Sequence, residues 1–379
     1  MSGYSLIINP GSASCKYAVF RGKKRITAFI YQKKGEKNFT FQKHNEEKKI
    51  ISLREFENSL RDLKSREGEI ISQVERIAFR IVHGGNVFSQ PIVAKRSLVK
   101  KLKRISTLAP LHNPFAIKIL QQAERILPKA KKLLVFDTAF HHALPAINKT
   151  YALPKQITKS LGIKRYGFHG INCASLVSQM GWRLSKRTII CHLGSGCSVT
   201  ALLNGKSIDT SMGYTPLEGL MMGTRAGDLD PGVLIALQKR YGAKKTEFIL
   251  NKESGLKGLT GTSDMREVVH RAKKGNLEAQ QAINMFCQKA AKHIAAASIS
   301  LGGVDAILFS GGIGENAPSI RQKICEYLIP LGVRIHPKKN LHAKPKKKFH
   351  HFFSKVKLRY LHADEEGEMN RMLQERLKN

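Results

Sequence analysis

Carboxylates are scarce in this 379-residue chain: 28 Asp and Glu stand against 65 Lys and Arg, a formal net charge of +37. A basic excess of that size points first to nucleic acid or another anionic surface. Cysteine is sparse as well, with six residues (Cys15, Cys173, Cys191, Cys197, Cys287 and Cys325) and no C-x-x-C pair. A disulfide scaffold or zinc ribbon needs closer, regular spacing, so reduced thiols in the cytoplasm are expected. Long apolar runs are missing. The most apolar stretch, Ile294 to Val304, is short, rich in Ala, Ser and Gly, and followed by Asp305, so no membrane helix is expected. The opening residues MSGYSLIINPGS lack a charged segment followed by a sustained apolar one, and no secretory signal is expected. Hydrophobic content is not lacking. At 42% it excludes a disordered polycation, and the length suffices for two or three domains of ~100–200 residues each.

Short apolar runs alternate with longer amphipathic stretches, the signature of an α/β fold. Strands are expected at Ser5–Ile8, Arg76–Val82, Leu133–Phe136, Thr188–His192 and Ala306–Ser310. Helices are expected at Ser97–Ile105, Ala116–Ile126, Gly232–Tyr241, Leu277–Ser300 and Ser319–Leu328, with loops at Pro110–Pro114 and Gly311–Gly314. One internal echo stands out. Residues 7–23, IINPGSASCKYAVFRGK, and 190–206, ICHLGSGCSVTALLNGK, each read as strand, Gly-Ser turn, strand, second turn and Gly-Lys. Gly11 aligns with Gly194 and Gly22 with Gly205, at the same offset of 183 residues. The repeat predicts a duplication, with two similar domains facing across a cleft.

The common phosphate motifs fail. Gly205-Lys206-Ser207 resembles the end of a P-loop, but the glycine required five residues earlier is Thr200; Gly312-Ile313-Gly314 lacks the third glycine of a dinucleotide fingerprint. Neither H-E-x-x-H nor G-x-S-x-G occurs. Gly-rich turns remain. Residues 9–16, from Asn9 through Ser12 and Ser14 to Lys16, can wrap an anion with amides, hydroxyls and an ammonium, or form an ordinary hairpin. Residues 310–316, SGGIGEN, lie between a strand and a helix expected near Pro318, where α/β folds bind nucleotides. The densest run, residues 209–228, sets Gly, Thr and Met around Arg225 in a long loop. Arg80 and Arg225 suit a pair of guanidinium clamps for a carboxylate or a phosphoryl group, although either alone is more commonly a structural ion pair. Asp137 adds an acid and His169 an imidazole.

The motifs INPGSASCK, RIVHGG, LAPLHNP, VFDTAFH, RYGFHG, DTSMGYTPLEGLMMGTRAGD, GTSDMRE and FSGGIGEN, followed by ADEEGE, occur in one order along the chain. In that order they resemble the acetate/propionate kinases of the actin-like ATPase superfamily. The resemblance implies an α/β fold of two RNase H-like domains with an interdomain cleft, and a homodimer. The first domain would span 1–150, completed by a C-terminal helix near 365–379, and the nucleotide-binding second would span 151–379. It implies catalytic roles for Arg80, Asp137, His169 and Arg225. Ser12, Ser14 and Lys16 match the first phosphate motif, and His192, Leu193, Gly194, Ser195 and Gly196 the second. Asp264, Met265 and Arg266 match the adenosine region, and Gly312, Ile313, Gly314, Glu315 and Asn316 the nucleotide loop. Val82, Leu111, Phe168 and Pro216 match an apolar pocket for the acyl methyl group, with His112 beside it. Asn9 and Glu365 match the metal-linked positions, with Glu366 as the alternative to Glu365. The implied cofactors are ATP/ADP and Mg²⁺, with Mn²⁺ as a substitute. The chain departs from the family pattern at Phe79, Cys173 and Ser195, where histidine, histidine and asparagine are usual.

The expected reaction is direct in-line phosphoryl transfer between ATP and acetate, giving acetyl phosphate and ADP. Propionate or another short carboxylate is the alternative acceptor, and a weakened paralogue that binds nucleic acid is the reading from another class. The charge lies mostly away from these motifs: Arg334–Arg359 holds ten Lys or Arg, four His and no carboxylate. A solvated surface is its expected role, with no membrane and no nucleic-acid partner.

Overall fold

The computed structural model describes residues 3–11, 14–34, 38–94, 96–109 and 112–377. Ser12 and Leu111, two of the expected site residues, lie outside them. The chain forms two compact units, Met1–His142 with His169–Ser175 and Asp364–Asn379, and Ala143–Phe168 with Leu176–Ala363.

The first unit holds eight strands: β1 (Tyr4–Pro10), β2 (Ser14–Arg21), β3 (Lys24–Lys34), β4 (Asn38–Lys43), β5 (Lys49–Ile51), β6 (Val74–Ile81), β7 (Ile92–Val93) and β8 (Lys131–Phe136). Their order is β5-β4-β3-β2-β1-β6-β8-β7. β1 to β5 form an antiparallel meander, while β1, β6 and β8 run parallel. The central strands are apolar almost throughout because both faces of the sheet are covered. Leu6 and Ile8 enter one core with Tyr17, Phe79 and Phe136. Ile7 points to the other, with Ala18, Ala78 and Val135. The C-terminal helix Glu365–Arg376 closes that second face through Met369 and Leu373.

The second unit carries β9 (Arg187–Leu193), β10 (Cys197–Leu203), β11 (Lys206–Thr210), β12 (Ala306–Ser310) and β13 (Lys357–Tyr360) in the order β11-β10-β9-β12-β13. β9 to β11 are an antiparallel meander, and β12 and β13 continue in parallel from β9. This order repeats β3-β2-β1-β6-β8 of the first unit strand for strand, so the echo between 7–23 and 190–206 is one of topology. Asn204 and Gly205 turn β10 into β11 with φ of 50° and 77°, as a two-residue hairpin requires. The helix Leu277–Ser300 is capped by Asn276 and buries Ala282, Phe286, Ala290, Ile294 and Ala297 at three- and four-residue spacing.

Two expectations are corrected. Gly311–Gly314 is not a loop but the start of a short helix, Gly311–Asn316, directly after β12. Gly311 makes the turn at φ 77°, where a Cβ would meet the Leu193 carbonyl oxygen at 2.6 Å, and the Glu315 carboxylate accepts from its amide at 3.0 Å. The helix expected at Gly232–Tyr241 continues as Pro231–Phe248, with a break at Gly242 (φ 74°).

Candidate active site

Parallel strands bring their carboxyl ends to one edge of a sheet, where α/β proteins place their ligands. In the first unit that edge carries Asn9 from β1, Arg80 from β6 and Asp137 just past β8. Arg80 donates from Nε and Nη2 to Asp137 Oδ2 at 3.0 and 2.5 Å. Its Nη1 donates to Asn9 Oδ1 at 3.0 Å and to the Pro10 carbonyl at 3.4 Å. The Asn9 amide in turn donates to Glu365 Oε2 at 2.9 Å and Glu366 Oε1 at 2.7 Å. Both acids begin the last helix, so segments more than 350 residues apart in sequence converge on one buried asparagine. Glu366, held as an alternative from sequence, is on Asn9 together with Glu365.

Electrostatics in this cluster are strongly coupled. Burial works against the Arg80 charge, but Asp137 and then Glu365 outweigh it and hold the guanidinium above its ordinary range. Burial raises the Asp137 carboxyl, opposed by Arg80.

The loops beyond these strands are pinned. His83 exchanges bonds with the Asn113 side chain at 3.4 and 3.2 Å, which fixes the position after His112. The Gly84 amide donates to Thr138 Oγ1 at 3.1 Å. His169 takes φ 58°, unusual for a residue with a Cβ. Next to it the Gly170 amide donates to the Asp137 carbonyl at 3.1 Å, an approach so close that a Cβ at 170 would collide with that oxygen. The RYGFHG spacing thus sets His169 beside Asp137 through the backbone. Val82 is buried directly after β6. Ser14 is half-buried and Lys16 exposed on β2, with Lys16 paired to Asn9 across the ladder. Of the departures from the family pattern, Phe79 and Cys173 are fully buried, and Phe79 lies in the main core.

In the second unit the ends of β9 and β12 meet, with Ser310 opposite His192. A Cβ at Gly194 would lie 3.6 Å from His192 Nε2 and 3.9 Å from the Gly312 nitrogen. The 192–196 turn and the 311–316 helix therefore touch, with the His192 ring beside both. The Gly223 amide donates to the Ser195 carbonyl at 3.2 Å, and the Met222 amide to the Arg225 carbonyl at 2.9 Å. The central run is thereby seated on the 192–196 turn. Arg225 is half-buried. Its contacts are Nη1 to the Pro216 carbonyl at 3.4 Å and to Met222 Sδ at 3.9 Å. It forms no ion pair among the described residues, and burial lowers its guanidinium. Burial pushes the neighbouring Cys197 thiol up to about 12, so it stays protonated at neutral pH.

Other expected positions have narrower roles. The Asp264 side chain caps the helix Met265–Lys273 and pairs with Arg266, whose side chain is 91% exposed. Hydrogen bonds from Arg266 hold the Asp264 carboxyl below its usual range. Met265 and Phe168 are buried. Glu315 turns inward onto Gly311, the Ala363 amide and His362 Nδ1 (2.5 Å), which shapes the loop. The Asn316 amide donates to the Gly312 carbonyl at 2.9 Å.

Sequence reasoning missed Arg321. Only 2% exposed, it donates to the carbonyls of Gly314 and Glu315, both at 2.8 Å, and to Asn340 Oδ1 and O at 2.9 and 3.0 Å. It ties off the end of the Gly311–Asn316 turn. Its only sequence signal is a cation inside an otherwise apolar helix stripe. Among the described residues no cluster of three His, Cys, Asp or Glu forms a metal site, and no helix is long and apolar enough to cross a membrane.

The comparisons with known proteins agree with this geometry. A family model described as the acetokinase family matches residues 4–371. The acetate kinase of Protochlamydia amoebophila is 39% identical over 385 residues, covering 95% of this chain and 96% of that protein. Among solved structures, a propionate kinase from Francisella tularensis aligns with a TM-score of 0.91 at 34% identity, covering 99% of this chain and 100% of its own. The Porphyromonas gingivalis acetate kinase aligns at 0.88 and 33%, covering 98% and 99%. With the repeated sheet order, the paired Arg80–Asp137 edge and the glycine turns around Arg225 all in place, this chain belongs to the acetokinase family.

Proposed function

We propose that this chain is an acetate kinase, transferring the γ-phosphoryl group of ATP reversibly to acetate. The observation that carries this reading is the state of Arg225. Its contacts use one nitrogen, leaving Nε and Nη2 uncommitted among the described residues. A half-buried guanidinium with that edge open suits a transferring phosphoryl group, whose charge spreads over three oxygens.

An acetate oxygen attacks the γ-phosphorus, the bond to the β–γ bridging oxygen breaks, and ADP leaves as acetyl phosphate forms. Acetate is already anionic at neutral pH, so no strong base is required. Arg80 makes four donor contacts with a group that has five N–H bonds; the fifth is assigned to the substrate carboxylate. Asp137 and Asn9 fix its direction. His169 is assigned to the transferring group. Val82, Leu111, Phe168 and Pro216 are assigned to the methyl group, with His112 next to them. Ser12, Ser14, Lys16, residues 192–196, 264–266 and 312–316 are assigned to the nucleotide.

Magnesium takes one or two carboxylates plus phosphate oxygens and water. The adjacent carboxylates of Glu365 and Glu366, fixed by the Asn9 amide, fit that demand. When bound, Mg²⁺ neutralises charge developing on the phosphate oxygens.

A propionate preference is the second reading, favoured by the likeness to the Francisella tularensis propionate kinase. One methylene in an apolar pocket is worth only ~1–3 kcal/mol. Turnover on acetate, propionate and butyrate with ATP and Mg²⁺ decides: acetate is expected to have the highest kcat/KM, and no turnover on any of the three removes the kinase reading. The reading includes a homodimer, supported by the exposed Val233, Leu234, Ile235 and Tyr241 on one helix. It also includes a cytoplasmic setting, supported by six free, buried cysteines.

A further inference from the structure

The run Arg334–Arg359, expected from sequence to be a plain solvated surface, has a definite construction. It lies in the second unit and leads into the edge strand β13. Ile335 bridges His350, and Lys348 bridges Arg359. The His351 amide donates to the Arg334 carbonyl at 2.8 Å, and the Lys355 amide to the Gly332 carbonyl at 2.9 Å. Phe349 points inward, 1% exposed, with the Arg321 guanidinium over its ring at 5.3 Å. With that anchor set, Phe352 and Phe353 face water at 88% and 72% exposure. Their exposure belongs to an ordered turn.

These two exposed rings continue a series with two half-buried imidazoles. His336 and His351 have centroids 6.0 Å apart, His351 and Phe353 5.5 Å, and Phe353 and Phe352 5.4 Å. Next to the series lies an open groove of about 660 Å³, walled by Ile329, Leu331 and Phe353 and flanked by Arg334 and Lys355. The ten Lys and Arg of the run form no ion pair among the described residues, and no carboxylate lies between them in sequence. Their field is felt locally: burial, then Lys348, lowers the His350 imidazole.

We propose that this face binds single-stranded nucleic acid, stacking bases on the His336–His351–Phe353–Phe352 ring series while the surrounding lysines and arginines follow the phosphates. Stacking platforms within a cationic track are what sequence-tolerant single-strand binding requires. An anionic membrane would also attract the charge. Two of the four rings are imidazoles, however, which stack on bases but bury little apolar area in lipid. Phe353 of the series also lines the groove, where a base can be received between Arg334 and Lys355.

The test is fluorescence anisotropy with labelled 20-nucleotide U and dT oligomers, from 50 to 300 mM KCl. It is run on the full chain, on Phe352→Ala/Phe353→Ala, and on Lys346→Gln/Lys347→Gln/Lys348→Gln. Melting temperatures confirm that each variant is folded. The full chain is expected to bind with an affinity that falls steeply with salt. Losing the two rings weakens binding roughly tenfold or more with the salt slope unchanged. Losing the three lysines lowers the slope of log K against log salt by about 2. RNA preferred over DNA, or equal binding, both support the proposal. No binding at 50 mM KCl overturns it, as does a ring variant that binds like the full chain. Flotation with phosphatidylserine vesicles that needs the two rings, without oligomer binding, assigns the face to membrane instead.

Discussion

Arg80 and Arg225 belong to different units and keep different electrostatic company. Arg80 is closed in by Asp137, Asn9 and the Pro10 carbonyl, and its charge is answered by carboxylates on two sides. Arg225 touches one carbonyl and one thioether, and no carboxylate among the described residues opposes it. The first is held in place by its own ion pair, which leaves one N–H for the proposed contact with substrate. The second carries an unopposed charge that burial makes costly, a cost an incoming anion relieves. A buried guanidinium is therefore a scaffold or a receptor according to what the fold sets against it.

That contrast can be broken experimentally. Arg225→Ala is expected to lower kcat by roughly 10³-fold, as for other arginines that meet a transferring phosphoryl group. Its melting temperature should hardly move, because no ion pair is lost. A variant that unfolds more than it slows would make Arg225 structural. Arg80→Ala should instead lose about 3–5 kcal/mol of stability, by leaving Asp137 buried without its partner. Urea denaturation measures this, and adding Asp137→Asn should recover part of the loss; a lack of recovery would mean the pair is not the source.

Arg321 is a third case, satisfied by carbonyls and an amide oxygen. Arg321→Met should cost about 1–3 kcal/mol by stranding those acceptors, and raise KM for ATP more than it lowers kcat. An unchanged KM would detach Arg321 from nucleotide binding at the proposed 312–316 site.

The smallest effect concerns acid. Asp228 accepts from the Gly219 amide at 2.7 Å and pairs with His293, closing the central run around Arg225. Burial works to raise its pKa, but these partners win and hold it below the ordinary carboxylate range. A carboxyl lowered by folding stabilises fully above its unfolded value near ~3.9, and that support fades as pH falls through the folded value. Asp137 has the opposite sign, so acid does not remove support there. Asp228→Asn should thus flatten stability against pH below ~4, whereas unchanged acid sensitivity would place its source elsewhere.

Much of the fold was legible because its turns need special residues. Asn204-Gly205 and the glycines of the two echoed hairpins mark strand ends, and unbroken runs such as IINP and AILFS mark strands covered on both faces. The candidate site motifs stood out too, as Gly-rich turns set around single cations. Contacts across long separations were not. Nothing in the local sequence of Glu366 ties it to Asn9, and nothing near Arg321 says that it will support Gly314. Nor could KFHHFFSK declare which phenylalanine faces inward: Phe349 is buried and Phe352 is not, although both sit among the same cations.

By itself the sequence determined the duplicated strand–turn–strand plan, the glycine turns and the family, all properties of residue type at short spacing. The tertiary structure alone decided which charges are answered. The same guanidinium is neutralised at Arg80, tied off at Arg321 and left open at Arg225, because the opposing groups come from distant strands and helices. The scarcity of carboxylates acts through the same rule. Few positive charges can be paired internally, and the fold decides that the Arg334–Arg359 run is among those that are not.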